Sequence, residues 1–127
     1  MYIDLDRFKE VNDTYGHKVG DAVLVHTADV LRRLFRDDFV ARLGGDEFLV
    51  VRLGKCSMDQ MEQEAEAFLK EMRTAFLAAE QTVSLSASVG IAQSSDSMVD
   101  IDALLQRSDQ ALYQAKKAGR SRYCVYR

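Results

Sequence analysis

The stretch RLGGDEF, residues 42–48, lies near the middle of the 127-residue chain. Apolar runs flank it on both sides, FVA before and LVV after. Two such runs around a Gly-Gly pair predict a β-hairpin, because Gly44 and Gly45 reach backbone angles that other residues avoid. Lacking a Cβ, these glycines also let the backbone lie close against a bound group. Asp46 and Glu47 follow at once, and strand alternation predicts that they point to opposite faces of the sheet. A bare hairpin tip with an acidic side chain suits a phosphate and a divalent cation.

The composition describes one globular domain over residues 1–127. Hydrophobic residues make up 47% of the chain and charged residues 29%, as in an ordinary domain with its own core. The net charge of −3 gives no general basic surface for nucleic acid or membranes. Cys56 and Cys124 are too few for a disulfide framework or a four-cysteine zinc site, and we expect free thiols in a reducing compartment. Without a signal peptide or an apolar membrane span, we expect a cytoplasmic domain, whether or not the full-length protein is membrane-attached.

Hydrophobic periodicity predicts the elements around the hairpin. A strand at 1–6 precedes a helix at 7–13, and a second helix runs from about residue 21 to residue 35. Ser57 and Gln60 form a capping box before a third helix, whose apolar stripe extends to Phe76. A strand at 82–92, a polar loop at 94–99, a helix at 101–118 and an edge strand at 123–126 follow. This order departs from strict strand–helix alternation and predicts an α+β fold with a mainly antiparallel sheet.

The chain resembles the GGDEF domain, the diguanylate cyclase family, in five blocks that stand in the family's order. They are DLDRFKEVND (4–13), YGHKVGD (15–21), GGDEF (44–48), VSLSASVG (83–90) and SDQALYQAK (108–116) with GR at 119–120. The resemblance implies the ferredoxin-like palm that nucleotide cyclases and polymerases share. It also implies that residues 1–127 lack the family's first helix, which carries the motif DxLTGLxNR.

The resemblance further implies that two GTP molecules are joined into cyclic di-GMP and pyrophosphate, a 3′-hydroxyl attacking an α-phosphate. Each domain would hold one GTP, so catalysis requires a homodimer in which two domains face each other. We expect an attached sensor or phosphodiesterase domain in the full protein, and no nucleic-acid partner. The competing hypothesis is a catalytically silent, GTP-binding regulatory module that controls such an attached domain. A polymerase-like palm is disfavoured because the chain is short and has no basic template groove.

Oxygen ligands for Mg²⁺, with Mn²⁺ as the alternative, are expected at the predicted strand ends. Asp4, the carbonyl of Leu5, Asp46 and Glu47 supply the hard oxygens that magnesium takes beside substrate phosphates. By resemblance, Asp46 occupies the metal-ligand and proton-acceptor position, while Glu47 supports the metal or the attacking hydroxyl. Both are therefore candidate catalytic residues. On the pattern alone, Asp4 and Asp6 can equally be solvated acids at a strand end.

Guanine recognition requires paired donors and acceptors, which an amide and a carboxylate supply. By resemblance, Asn12 and Asp21 occupy the family's guanine-reading positions, and His17 lies between them in the substrate-proximal YGH pattern. Taken singly, Asn12 is typical of a helix end and Asp21 of an N-cap, and a lone histidine is commonly structural.

Phosphate binding is assigned by resemblance to Lys116 and Arg120, which one helical turn would place on the same side. Arg120 can bind a phosphate through two parallel hydrogen bonds, and Lys116 acts as a point charge. Lys9 and Phe8 stand beside the same site, although Phe8 also suits the core. The alternative for both cations is an interaction with the dipole at the helix C-terminus.

Many family members bind their product at an Arg-x-x-Asp motif before the hairpin. Here Asp38 stands at the Asp position, but Phe35 stands where the arginine belongs. Arg36 is one residue out of register, which is roughly 100° around a helix of about 3.6 residues per turn. The sequence therefore predicts weak or absent product feedback at this position.

Overall fold

The computed structural model describes residues 1–94 and 100–127. Apart from residue 94, the loop predicted at 94–99 lies outside the described residues. The strands are β1 (Tyr2–Leu5), β2 (Phe39–Gly44), β3 (Glu47–Val51), β4 (Phe76–Ala78), β5 (Gln81–Val83), β6 (Ala87–Ile91) and β7 (Arg122–Val125). The helices are α1 (Phe8–Tyr15), α2 (His17–Leu34), α3 (Met58–Arg73) and α4 (Ile101–Lys117). None of these helices is long and apolar enough to cross a membrane.

Five strands form the main sheet, in the order β2-β3-β1-β6-β7. All neighbouring pairs are antiparallel except β6 and β7, which run parallel. The predicted α+β fold with a mainly antiparallel sheet is therefore confirmed. The central hairpin forms as predicted, and β1, the first strand in sequence, occupies the middle of the sheet between β3 and β6.

Alternation along β1 separates an apolar face from a polar face. Ile3 and Leu5 are buried in the main core together with Phe48 of β3. Tyr2 and Asp4 project to the other face, where Asp4 meets Lys116 of α4. The polar residues of β1 therefore lie between the sheet and α4.

Gly90 of β6 lets α4 lie directly on that face. A Cβ at Gly90 would stand 2.0 Å from the carbonyl oxygen of Ser108 and 2.3 Å from the amide nitrogen of Leu112. Both are backbone atoms, so a side chain at Gly90 could be accommodated only by moving the helix. The close approach brings Lys116, one turn beyond Leu112, to the end of β1.

The second helix begins four residues before its predicted start. Gly16, with φ 90°, separates α1 from α2 and serves as the N-cap of α2, which starts at His17. Gly20 is tolerated inside the helix because the space of its missing Cβ is filled by Asn12 of α1. Asp21 consequently lies within α2, and the alternative that it is an N-cap is wrong.

A short hairpin, β4–β5, replaces the end of the third helix and the start of the predicted strand at 82–92. Phe76 lies in β4, outside the helix. Ala79 and Glu80 form the connecting turn with φ values of 47° and 71°. Turns with positive φ at both central residues usually contain Asn or Gly, and neither residue is present in this turn. The predicted strand is therefore two strands, β5 and β6, separated by residues 84–86.

The third helix begins where it was expected, but its predicted capping box does not form. Ser57 stands at the N-cap without a side-chain capping bond. Gln60 donates instead to Glu64, at 3.3 Å. Side-chain capping of this kind occurs at α4, where Asp100 accepts hydrogen bonds from the backbone of the first turn.

Candidate functional site

Three acidic residues lie where β1 ends beside the hairpin tip. Asp4 lies directly opposite Glu47 in the β1–β3 pairing. Asp46 lies in the turn before β3, and its carbonyl accepts the N–H of Leu5 at 3.1 Å. The carboxyl group of Asp46 is close enough to Asp4 to raise the pKa of Asp4. The strand pairing thus gathers acids that are about 40 residues apart in sequence.

The expectation that Asp46 and Glu47 point to opposite faces is wrong. Strand alternation does not govern Asp46, because β3 begins only at Glu47. Glu47 itself projects to the face of Tyr2, whose phenol donates to Glu47 Oε2 at 2.8 Å. Glu47 therefore lies on the same face of the sheet as Asp4, and the Asp46 carboxyl group is close enough to Asp4 to raise its pKa.

Asp4 lies in an electrostatic environment that raises the pKa of its carboxyl group. Burial raises its pKa, the ion pair with Lys116 opposes that rise, and Asp46 adds to it. Lys116 Nζ pairs with Asp4 Oδ2, while Oδ1 is buried without a hydrogen-bond partner. The alternative that Asp4 is a solvated strand-end acid is wrong, since its exposed fraction is 9%. A buried carboxylate oxygen without a partner is costly, and a cation beside it would satisfy it.

The residues present fit a hard divalent cation that takes part of its shell from elsewhere. Within residues 1–94 and 100–127, no group of three or more His, Cys, Asp or Glu side chains is placed to hold a metal ion. Magnesium is commonly held by one or two carboxylates, with water and substrate phosphates completing the octahedron. The orphaned Asp4 Oδ1 and the neighbouring Asp46 offer those carboxylates. Glu47 and the Leu5 carbonyl are the remaining candidates.

The guanine-reading candidates lie on α1 and α2, which pack against each other. A Cβ at Gly20 would overlap Asn12, standing 1.8 Å from Oδ1 and 2.9 Å from Cγ. The side chain of Asn12 therefore rests directly on α2 at Gly20, and Asp21, the next residue of that helix, is exposed. His17 is exposed at the first turn of the same helix. Asn12 and Asp21 thus lie on two helices that are in direct contact.

The two phosphate-binding candidates do not share a helix face. Lys116 lies in the last turn of α4, but α4 ends at Lys117, and Arg120 lies in the following turn with φ 62°. The prediction that one helical turn places Lys116 and Arg120 on the same side is therefore wrong. Arg120 lines an open groove of about 610 Å³ that Arg7 and Arg73 also line.

Asp6 fixes the turn that carries Arg120. Its carboxylate accepts hydrogen bonds from Ser86 Oγ and Ser88 Oγ, both at 2.6 Å, and from the N–H of Ser121 at 3.0 Å. Arg73 donates to the carbonyl of Ser121 at 2.7 Å. Asp6 is buried, so the alternative of a solvated acid is wrong for it as well. The neighbour of Arg120 is held from two sides.

The first turn of α1 carries Phe8 and Lys9, the remaining candidates for the phosphate site. Arg7, with φ 56°, occupies the N-cap position, and Lys9 is exposed on the helix. Phe8 packs against the core. This contact supports the core interpretation of Phe8, and Lys9 is the side chain of the two that is available to a ligand.

The hairpin glycines have the backbone that the sequence predicts. Gly44 and Gly45 have φ values of 138° and 52°, and a Cβ on either would meet nothing within 4 Å. Arg42 Nε donates to the carbonyl of Gly45 at 3.0 Å, which braces the tip. The tip is therefore open to a bound group and is built from conformations that favour glycine.

Two side chains at the site were missed by sequence reasoning, Tyr2 and Asp109. Burial first, then the hydrogen bond to Glu47 and the negative charges of Glu47, Asp109 and Asp4, together raise the pKa of Tyr2 to about 12. Residues two apart on a strand share a face, so the spacing of Tyr2 and Asp4 was the available signal. No local pattern indicated Asp109, which α4 supplies.

The position of the family's product site is occupied by other interactions. Phe35 is 1% exposed and belongs to the core. Asp38 accepts two hydrogen bonds from Arg52, at 2.9 and 2.6 Å. Arg52 also pairs with Glu64 at 2.6 Å. Neither residue at the two motif positions is free to bind a ligand.

This combination of an antiparallel sheet, helices packed on it and acids at the strand end defines a palm domain of the nucleotide-cyclase type. The profile of the family described as "Diguanylate cyclase, GGDEF domain" matches residues 1–122. The chain belongs to the GGDEF domain family.

Curated relatives include proteins with different activities. The chain is 41% identical over 127 residues to the cyclic di-GMP phosphodiesterase PdeR of Escherichia coli, covering 99% of this chain and 19% of PdeR. It is 39% identical over 126 residues to the diguanylate cyclase DgcP of Pseudomonas aeruginosa, covering 94% of this chain and 18% of DgcP. The chain therefore spans less than a fifth of these two proteins, which act in cyclic di-GMP signalling.

Solved GGDEF domains have the same fold. The GGDEF domain of TpbB (YfiN) from Pseudomonas aeruginosa matches with a TM-score of 0.93 and 38% identity, over 99% of this chain and 74% of that one. The active GGEEF domain of a diguanylate cyclase from Vibrio cholerae matches with a TM-score of 0.88 and 35% identity, over 99% of this chain and 80% of that one.

Proposed function

We propose that this domain is a diguanylate cyclase, which condenses two GTP molecules into cyclic di-GMP and pyrophosphate. The observation that carries the proposal is the gathering of Asp4, Asp46 and Glu47 at one strand end, with Lys116 beside them and an unpartnered oxygen on Asp4. Acids placed for fold stability alone would be expected to have their hydrogen bonds satisfied. The substrate would be available in the cytoplasm, where we place the domain.

Each named residue then has a task in the reaction. Asn12 and Asp21 bind the guanine edge, and Lys116 and Arg120 bind the phosphates. Asp46 or Glu47 accepts the proton of the 3′-hydroxyl group. The 3′-oxygen then forms a bond to the α-phosphorus while the bond between the α-phosphorus and the pyrophosphate leaving group breaks. Bound Mg²⁺, or Mn²⁺ in its place, would supply charge stabilisation at the phosphates. Asp4, Asp46, Glu47 and the Leu5 carbonyl are the groups that would hold it.

The product requires two such domains. Cyclic di-GMP contains two nucleotides related by a two-fold axis, and one domain of this size offers one set of guanine-reading residues. We propose that two copies face each other across their hairpins. The reaction rate should therefore rise more steeply than linearly with protein concentration.

The test is incubation with GTP and Mg²⁺ at low and high protein concentration, with separation of the products by chromatography. We expect cyclic di-GMP that rises steeply with protein concentration and is lost in Asp46→Ala. Arg36→Ala, an exposed change outside the site, serves as the matched control. Absence of product from a folded protein that binds GTP, also when flanking chain is included, would refute the cyclase.

The second candidate is a GTP-binding regulatory module that controls an attached domain such as a phosphodiesterase. The likeness to PdeR, a phosphodiesterase, favours it. The pairing of Lys116 with Asp4 also favours a regulatory module, because Lys116 already neutralises one acid of the site. GTP binding that weakens in Asn12→Ala and Asp21→Ala, without any product, would support this module.

We also propose that product feedback through the Arg-x-x-Asp position is weak or absent. The burial of Phe35 and the bonds from Arg52 to Asp38 support this. In a titration with cyclic di-GMP, Arg36→Ala should leave the affinity of the protein unchanged. A strong loss of binding in Arg36→Ala would show that this segment holds product after all.

A further inference from the structure

We propose that Tyr2 is a positioning residue for Glu47, and that its phenol holds the carboxylate in the orientation needed beside the cation. This inference rests on the proposed cyclase site and assigns a residue to it that the family's motifs do not include. Tyr2 acts on the chemistry through Glu47 and does not itself touch the reacting atoms.

The backbone of Tyr2 is fixed by its place between two strands of the sheet. Tyr2 pairs with Leu49 of β3 on one side and with Gly90 of β6 on the other. It stands two residues before Asp4 and therefore on the same face of β1. Because Asp4 lies opposite Glu47, Tyr2 is the diagonal neighbour of Glu47 across the two strands. The phenol reaches Glu47 Oε2 at 2.8 Å.

Because of the hydrogen bond from Tyr2, two acids of the site are stabilised by two different groups. Lys116 pairs with Asp4, and Tyr2 donates to Glu47. Asp109 adds further negative charge close to the phenol. A neutral donor stabilises Glu47 in this crowded field without cancelling the charge that attracts a cation.

A fixed orientation of Glu47 has a physical benefit. A free glutamate side chain loses rotamer entropy when it is ordered on binding a cation. Tyr2 orders Glu47 in the folded protein through Oε2, so a cation can approach the other oxygen of an already oriented carboxylate. Groups that orient metal-binding carboxylates in this way typically change metal affinity about 10- to 100-fold when removed.

The test compares Tyr2→Phe, which removes only the hydroxyl, with Tyr123→Phe. Tyr123 is a half-buried strand tyrosine whose phenol faces Glu62 on the far side of the sheet, so it is a matched tyrosine–glutamate pair outside the site. Mn²⁺ binding is measured by the electron paramagnetic resonance signal of the free ion, with a non-hydrolysable GTP analogue present. GTP turnover is measured in parallel against Mg²⁺ concentration.

We expect Tyr2→Phe to weaken Mn²⁺ binding about 10- to 100-fold and to raise the Mg²⁺ needed for half-maximal turnover by a similar factor. The KM for GTP at saturating Mg²⁺ should stay close to that of the parent protein. Tyr123→Phe should change neither quantity. The weakening of Mn²⁺ binding in Tyr2→Phe establishes the positioning role even if the parent protein makes no cyclic di-GMP, in which case only the proposed enzyme fails.

Three results would overturn the inference. The first is Mn²⁺ binding by Tyr2→Phe that equals that of the parent. The second is an equal loss in Tyr123→Phe, which would indicate a general effect on the sheet. The third is a parent protein that binds no Mn²⁺ with the nucleotide analogue present, which would remove both the cation site and the role of Tyr2.

Discussion

Gly20 controls the position of Asn12, and Gly20→Ala should weaken nucleotide binding without unfolding the domain. The new Cβ would stand 1.8 Å from Asn12 Oδ1. An unbonded carbon and oxygen approach to about 3.3 Å, so the amide must move by roughly 1.5 Å. A hydrogen bond of about 2.9 Å does not survive such a displacement.

The magnitude follows from the number of bonds that the amide can make to guanine. Two neutral hydrogen bonds contribute about 0.5–1.5 kcal/mol each, or about 1–3 kcal/mol together. At 1.4 kcal/mol per factor of ten, the Kd for a GTP analogue should rise roughly 5- to 150-fold. Alanine is favoured over glycine in a helix interior by about 1 kcal/mol, which offsets part of the steric cost. The free energy of unfolding should therefore stay within about 1 kcal/mol of the parent.

The assay is isothermal titration with a non-hydrolysable GTP analogue, combined with urea unfolding. The control is a double-mutant cycle with Asn12→Ala, which removes the amide that the new methyl group strikes. Asn12→Ala and the double variant should bind the analogue equally weakly, because Gly20→Ala has nothing left to displace. The double variant should also be more stable than Gly20→Ala alone.

Two results would refute this reasoning. One is binding by Gly20→Ala within about twofold of the parent, which would mean that the amide position is irrelevant to the nucleotide. The other is a further loss of binding in the double variant, because additive effects belong to independent sites.

Three further changes test the packing around the site by urea unfolding. Arg52→Met should lower the free energy of unfolding by about 2–3 kcal/mol, because it strands Asp38 and Glu64 without their partner; a change under about 0.5 kcal/mol would show an unimportant pair. Gly90→Ala should cost about 1–3 kcal/mol through overlap with the backbone of α4, and retained full stability would contradict that close packing. Burial lowers the pKa of His26 in the folded protein below its ordinary value of 6.5. As the pH drops, the unfolded chain therefore binds a proton at His26 before the folded protein does. The free energy of unfolding that neutral His26 contributes is present above pH 6.5 and falls as the pH drops below that value. His26→Phe should reduce the stability difference between about pH 7.5 and about pH 5.5, and an unchanged difference would assign the effect to other groups.

Local sequence rules predicted much of the framework. The Gly-Gly pair between apolar runs gave the central hairpin, and Gly44 and Gly45 have the positive φ values that only glycine adopts readily. Apolar periodicity gave the four helices within the described residues, and Gly119 ends the last one. The β4–β5 turn escaped prediction because Ala79 and Glu80 adopt left-handed angles with no local residue signal.

The sequence by itself determined which residues are strand-end acids and which face of β1 is polar, because these properties depend on spacings of a few residues. Only the tertiary structure decided what those residues touch. Lys116 meets Asp4 from 112 positions away, and Tyr2 meets Glu47 from 45 positions away. Periodicity specifies the direction of a side chain relative to its own strand or helix, and it contains nothing about which other strand or helix will pack there. That choice depends on the pairing of β1 with β3 and on the close approach of α4 at Gly90, which belong to the folded domain as a whole.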